Sequence, residues 1–174
     1  MRISKRMQEA INAQINAEFW SAYLYLSMAA DADAKGYKGV ANWFYVQFQE
    51  EQAHARIFMN HLLARGARVD LMPIAEVKQE WSSVLNLFEE TLEHEKRVTE
   101  MIHNLYGLAA DERDFASMSM LNWFVDEQIE EEESAQELIG QLEAVDCNKM
   151  GLFLIDKDLS ARVYNTPTPL AYKE

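Results

Sequence analysis

The sequence is poor in the residues that interrupt helices or cross-link a chain. Its 174 residues include three prolines, six glycines and one cysteine, Cys147. This composition favours a mostly helical globular protein, and a single cysteine excludes an internal disulfide. No apolar run approaches the roughly 18 residues that a membrane-spanning helix needs, so no membrane partner is expected. The N-terminus lacks the apolar segment of a signal peptide, which favours a cytoplasmic protein.

Basic residues are also scarce. Sixteen lysines and arginines stand against 29 aspartates and glutamates, for a formal net charge of -13. Such a surface repels phosphate backbones, so nucleic acid is not an expected partner. Solubility alone would account for this charge. Attraction of cations, in contrast, requires carboxylates at positions that the fold buries.

Apolar residues recur at helical spacing in four long segments and one short segment. The pattern predicts helices over about 5–34, 40–65, 81–106, 112–145 and 150–163. Turns are predicted at 35–39 and 107–111, and Gly66 is expected to end the second helix. The tail over 164–174 should be extended, so we predict one domain over 1–163.

The segment over 66–80 is long for a connection in a helical domain. A helix of about 26 residues is roughly 39 Å long, and about 15 extended residues can reach roughly 50 Å. The chain can therefore return along the bundle, which leaves the second and third helices parallel. We predict an all-α four-helix bundle with one long crossover loop and a short fifth helix.

Each of the four long apolar stripes carries a glutamate near its middle: Glu18, Glu51, Glu95 and Glu131. Buried carboxylates cost several kcal/mol when they are unpaired, and bound cations remove that cost. Glu51 and His54 stand three residues apart, so both can reach one ion from the same helix face. Oxygen ligands with one nitrogen suit iron or manganese better than structural zinc. Four carboxylates balance two divalent ions, which suggests a pair bridged by Glu51.

The motifs around these glutamates resemble those of the bacterial non-haem ferritins, and the resemblance extends over 11–163. The fourth helix lacks a Glu-x-x-His motif, which argues against bacterioferritin, rubrerythrin and the ribonucleotide reductase subunit. Gln52 stands where bacterioferritin has its haem-binding methionine, so no haem is expected. The strings that carry the resemblance are NAEFW over 16–20, FQEEQAH over 48–54, HE over 94–95 and WFVDEQIEE over 123–131.

The resemblance implies a role for most polar residues of these strings. It implies a first iron held by three side chains, Glu18, Glu51 and His54. It implies a second iron held by Glu51, Glu95 and Glu131, with Gln128 close by. It also implies a third iron site at Glu50, Glu127 and Glu130, with Glu131 shared. Without the resemblance, these last carboxylates could equally form a solvated acidic face.

Several other residues are assigned more briefly. Tyr25 matches a tyrosine beside the iron pair, and Trp123 is a candidate electron donor. The remaining histidines show no partner spacing, so they are expected to be hydrogen-bonded or at the surface: His61, His94 and His103. Cys147 is expected to be inert.

The resemblance implies an iron storage ferritin with ferroxidase activity. Such a protein oxidises Fe²⁺ with O₂ or H₂O₂ and stores Fe³⁺ mineral inside a homo-oligomeric shell of 24 subunits. Two alternatives stay open. A DNA-protecting mini-ferritin would carry a helix in the crossover loop and a metal site between subunits. A structural bundle without chemistry would bind no Fe²⁺.

Overall fold

A computed structural model describes residues 3–146 and 148–171, and every regular element in those ranges is a helix. The helices are α1 (Lys5–Ala34), α2 (Lys38–Ala64), α3 (Val84–Asp111), α4 (Phe115–Ala144), α5 (Lys149–Leu159) and α6 (Thr168–Ala171). Short turns join α1 to α2 and α3 to α4, and each of these pairs packs along its length. The prediction of an all-α bundle with a long crossover and a fifth helix is confirmed. None of the helices in the described ranges is both long and apolar enough to cross a membrane.

Four of the helices begin at a side-chain cap. Ser4, Ser83, Asp114 and Asn148 each accept a hydrogen bond from the backbone N–H three residues further on. These bonds satisfy donors that have no partner within the helix, and each cap typically stabilises its helix by about 1 kcal/mol. The cap at Ser83 explains why α3 begins later than the predicted start at residue 81.

The turn between α3 and α4 lies further along the chain than predicted. Gly107 is inside α3, and the chain turns over 112–114, where Arg113 adopts a φ of 53°. Leu105 and Ala109 are both buried, so the apolar stripe continues past Gly107 and holds that turn of helix in place. A single glycine costs a helix only about 1 kcal/mol, which the burial on either side outweighs.

The crossover loop between α2 and α3 lies along α1 and runs in the same direction. Polar side chains on one face of α1 bond to the loop backbone. Asn12 contacts Arg68 and Asp70, Asn16 contacts Met72 and Pro73, Trp20 contacts Glu76, and Ser27 contacts Lys78. Because contacts advance in the same order on both segments, the loop runs parallel to α1. It therefore returns the chain to the start of α2, and α3 runs parallel to α2.

The C-terminal tail departs from the extended conformation expected for it. Residues 164–167 are irregular, but Thr168–Ala171 form the short helix α6. Leu170 is buried among the apolar side chains of one core cluster, and this burial anchors the helix against α2. Residue 147 and residues 172–174 lie outside the described ranges, so the expectation for Cys147 is not addressed.

Helix α5 is fastened across the start of α2. The Asp156 carboxylate accepts hydrogen bonds from the backbone N–H groups of Gly39, at 2.8 Å, and Val40, at 2.9 Å. Tyr37, the residue before α2, contributes no side-chain cap, so Asp156 supplies one from another helix. A Cβ atom on Gly39 would lie 1.5 Å from the backbone oxygen of Asp156. Only glycine permits this approach.

Replacing Gly39 with alanine should therefore push α5 away from α2. We expect a loss of stability of at least about 1–3 kcal/mol, as in overpacked cores. Faster proteolysis within 149–171 should accompany it, and both are measurable by thermal unfolding and limited trypsin digestion. Gly107→Ala is the matched control, because no atom lies within 4 Å of a Cβ there. Equal stability of the two variants would contradict the packing argument.

Candidate metal centre

The four mid-stripe glutamates and His54 meet inside the bundle. They come from α1, α2, α3 and α4, and none of the five side chains is more than 6% exposed. Ligand atoms of Glu18, Glu51 and His54 all lie within 4.8 Å of one another. The helical stripes thus bring together the three residues to which the resemblance gives the first iron.

His54 presents a different nitrogen to each of two carboxylate groups. Its Nδ1 lies 3.6 Å from Glu51 Oε2 and 3.9 Å from Glu18 Oε2. Its Nε2 lies 3.7 Å from Glu127 Oε1, and His54, Glu127 and Glu131 form a second group with ligand atoms within 4.8 Å. The imidazole therefore stands between the inner carboxylates and the edge of the bundle.

Two buried atoms of this centre lack a hydrogen-bond partner among the described residues: Glu51 Oε2 and His54 Nε2. Leaving a buried polar atom unsatisfied costs about 1–3 kcal/mol. Both atoms carry lone pairs that a metal ion accepts, provided that the imidazole is neutral. A cation among Glu18, Glu51 and His54 Nδ1 would satisfy Glu51 Oε2, and a cation on the Glu127 side would satisfy His54 Nε2. The residues present therefore fit an iron site.

The remaining carboxylates are oriented by neutral donors. Tyr25 donates its hydroxyl to Glu95 Oε1, and Gln128 Nε2 donates to Glu95 Oε2 at 3.1 Å. Each oxygen of Glu95 therefore accepts a hydrogen bond. The structure places Tyr25 and Gln128 beside this carboxylate.

Two glutamines that the sequence analysis did not single out complete the centre. Gln14 Nε2 donates to Glu18 Oε1 at 2.7 Å, and Gln47 Nε2 donates to Glu131 Oε2 at 2.8 Å. Both amides are buried. Each glutamine precedes a stripe glutamate by four residues, so an amide one turn before a buried carboxylate was the available signal.

Burial is the main cause that raises the pKa of each inner carboxylate, Glu18, Glu51, Glu95 and Glu131, and neighbouring carboxylates add to it. For His54, burial lowers the pKa, but the nearby carboxylates of Glu127, Glu51 and Glu18 outweigh it and raise the pKa well above its usual value. The metal-free centre therefore retains protons that a bound cation would replace.

The residues assigned to a third site lie at the edge of the bundle. Glu50 and Glu127 are partly exposed, with side chains 18% and 23% exposed, and Glu130 is exposed. Burial raises the pKa of Glu50, and Glu127 and Glu130 add to the effect while Arg162 opposes it. In the described ranges, Glu50 and Glu130 do not join a group of three ligand atoms within 4.8 Å.

The other histidines are hydrogen-bonded or exposed, as predicted. His94 Nε2 shares a hydrogen bond with Ser21 Oγ at 2.8 Å, and burial together with the charge of Arg97 lowers its pKa to about 4. His61 shares one with Ser117, and His103 is exposed. Trp123 packs edge-on against His54, with ring centroids 5.5 Å apart.

Comparison with known proteins gives a consistent family. The ferritin-like domain family matches residues 8–145. The chain is 37% identical over 163 residues to a bacterial non-heme ferritin of Staphylococcus aureus (strain USA300), covering 94% of this chain and 98% of that protein. It is 39% identical over 165 residues to a bacterial non-heme ferritin of Staphylococcus epidermidis, with the same coverage of both chains.

Solved structures agree with this relationship. An open pore ferritin from the hyperthermophilic archaeon Archaeoglobus fulgidus is similar at a TM-score of 0.91 and 47% identity, covering 92% of this chain and 99% of that chain. A closed form of the same ferritin, engineered by site-directed mutagenesis, gives a TM-score of 0.92 at 46% identity, covering 94% and 99%. The family match and the identities to these relatives show that the chain belongs to the ferritin family, and its four long helices converge on one centre of carboxylates and a histidine.

Proposed function

We propose that this ferritin oxidises Fe²⁺ at the buried centre and stores the Fe³⁺ product as mineral. Membership of the family supports iron storage. The observation that carries the proposed chemistry is the group formed by Glu18, Glu51 and His54, whose ligand atoms lie within 4.8 Å of one another. Within this group, which lies among four buried carboxylates, Glu51 Oε2 has no hydrogen-bond partner among the described residues. A polar cluster of this kind is costly without a cation and is stabilised by one.

Two ferrous ions are the proposed substrates at the centre. The first would bind Glu18, Glu51 and His54, and the second would bind Glu51, Glu95 and Glu131. Each ferrous ion supplies one electron, and the two electrons reduce O₂ to H₂O₂, or H₂O₂ to water, with protons taken up. Glu51 would serve both ions, which holds them close enough to deliver both electrons to one oxidant molecule.

The surrounding donors support this chemistry because their hydrogen bonds orient the carboxylates. Gln14 and Gln47 hold Glu18 and Glu131, so these carboxylates need little reorganisation when iron arrives. Tyr25 and Gln128 do the same for Glu95. Trp123, against His54, is the proposed electron donor from outside the pair. No haem is part of the proposal.

A third ferrous ion is proposed at the edge of the bundle. Glu50, Glu127 and Glu130 would bind it, with Glu131 shared between this site and the pair. Glu127 faces His54 Nε2, so the outer site and the pair meet on opposite sides of one imidazole.

Assembly into a homo-oligomeric shell of 24 subunits, in the cytoplasm, completes the proposal. The apolar surface of the crossover loop supports assembly: Leu71, Met72 and Ile74 are 67%, 49% and 47% exposed, beside Phe19 of α1. Contiguous exposed apolar side chains mark contact surfaces. The mini-ferritin alternative is disfavoured, because the crossover contains no helix and one chain supplies the whole centre.

Replacing His54 with alanine should weaken binding of the first iron and slow oxidation by at least about tenfold, while the bundle remains folded. The measurements are anaerobic Fe²⁺ titration and the absorbance of Fe³⁺ after O₂ is added. His103→Ala, at an exposed position, is the control and should behave as the parent. An unchanged oxidation rate in His54→Ala would reduce His54 to a structural role.

The metal-free protein should lose stability as the pH rises. Glu18, Glu131 and His54 have raised pKa values when folded, so above the ordinary carboxylate value of 4.5 the folded chain binds more protons than the unfolded chain. The free energy of unfolding should therefore fall from about pH 5 to about pH 8. Urea unfolding of chelator-treated protein measures this slope. Glu18→Gln should flatten it, and a stability that rises with pH would contradict the protonated centre.

The parent protein should sediment as one large closed particle across a range of protein concentrations. A charge introduced at the crossover, as in Leu71→Glu, should shift the particle toward smaller species because burying an unpaired carboxylate in a contact is costly. Analytical ultracentrifugation distinguishes the two. A parent protein that stays monomeric or dimeric would overturn the shell, but not the metal centre.

A further inference from the structure

The segment after α5 reaches the metal centre through Arg162. Its Nη2 donates to Glu50 Oε2 at 2.7 Å and to Gln47 Oε1 at 2.5 Å, while Nη1 donates to the backbone oxygen of Trp43 at 3.2 Å. The guanidinium also stacks on the Trp43 ring, with its carbon 4.5 Å from the centroid. These contacts hold the planar fork in one orientation.

Gln47 extends this contact into the pair. Its Oε1 accepts from Arg162, and its Nε2 donates to Glu131 Oε2 at 2.8 Å. The Gln47 side chain is fully buried, and each end of its amide has a hydrogen-bond partner. Arg162 therefore contacts the outer carboxylate of Glu50 directly and, through the Gln47 amide, is linked to Glu131, a ligand proposed for the second iron.

The guanidinium occupies the place where a cation is needed in the metal-free protein. Glu50 is repelled by the nearby carboxylates of Glu127 and Glu130, and the charges of Arg162 and His54 oppose that repulsion. A ferrous ion bound to Glu50 would bring two further positive charges against Arg162. The two cations cannot both stay on this carboxylate without mutual repulsion.

Arg162 can move without unfolding the segment that carries it. Its side chain is 26% exposed and that of Glu50 is 18% exposed, so water lies on one side of the pair. The backbone oxygen of Arg162 accepts from Asn42 Nδ2 at 2.9 Å, which keeps the main chain in place. The guanidinium therefore has a route into solvent while its backbone stays bound to α2.

We infer that Arg162 is a positioning residue that acts as the resident cation of the outer carboxylate site and competes with the third ferrous ion for Glu50. In the metal-free protein it neutralises this carboxylate. When iron fills the outer site, the guanidinium leaves. Arg162 thereby sets the affinity of the third ion below that of the pair. This inference rests on the proposed function, because it assumes that the pair and the outer site bind iron.

Anaerobic calorimetric titration with Fe²⁺ tests the competition. In Arg162→Gln, the third ion should bind at least about tenfold tighter, because a charge-assisted hydrogen bond no longer has to break. The pair should still fill. Arg162→Lys should tighten the third ion less, since it keeps the charge but loses the fork. Arg68→Gln removes an exposed arginine, 84% exposed and paired with Asp70, and should match the parent.

Thermal unfolding gives an independent readout. Metal-free Arg162→Gln should melt below the parent, and ferrous ion should raise its melting temperature by more than it raises that of the parent. A purely structural arginine would lower stability in both states equally. If Arg162→Gln fails to assemble, Arg162→Lys carries the same comparison with the parent.

The outcomes separate the inference from the proposed function. A third ion that binds equally or more weakly in Arg162→Gln, with the pair intact, overturns the competition and leaves the function standing. Tightened binding that survives a further Glu130→Ala change also overturns it, because the ion would then lie elsewhere. Absence of ferrous binding at the pair in parent and variants alike would defeat the proposed function itself.

Discussion

The cost of removing carboxylates from water governs this structure. Four glutamates and a histidine lie in the middle of a helical bundle, where unpaired ions cost several kcal/mol each and like charges repel. Two features lower this cost. The raised pKa values of Glu18 and Glu131 favour their protonated, neutral forms, and neutral side chains donate hydrogen bonds to the carboxylate oxygens. Among the residues that the structure describes, the buried side-chain atoms left without a hydrogen bond are Glu51 Oε2 and His54 Nε2, each of which faces a group of possible metal ligands.

The bundle around the centre is built to keep those side chains in place. Apolar clusters lie on both sides of the centre along the helix axes, so the polar layer is enclosed between two packed cores. The crossover loop is bonded along α1, and α5 supplies the cap that α2 lacks. Each connection therefore restrains a helix that carries a ligand. Rigid supporting elements reduce the reorganisation needed when iron binds.

The charged groups inside the bundle differ from those at its edge in their exposure to water. The inner carboxylates are fully buried and proton-sharing, whereas Glu50, Glu127 and Arg162 are partly exposed and can exchange partners with solvent. His54 stands between the two regions, with one nitrogen toward each. The centre thus combines a tightly enclosed pair with an outer group whose ion pairing is weaker, because water screens it.

The sequence by itself determined the four long helices and the burial of five polar side chains inside the bundle: Glu18, Glu51, His54, Glu95 and Glu131. Each helix must bury its apolar stripe, and these residues lie on or beside the stripes, so they are buried too. The α3–α4 turn was not determined in this way, since burial of Ala109 outweighed the glycine at 107. The helix over Thr168–Ala171, which burial of Leu170 anchors, was not foreseen. The contacts of Gln47 with Glu131 and of Arg162 with Glu50 were decided only by the tertiary structure. These partners are 84 and 112 residues apart in sequence, and only tertiary packing brings such residues together.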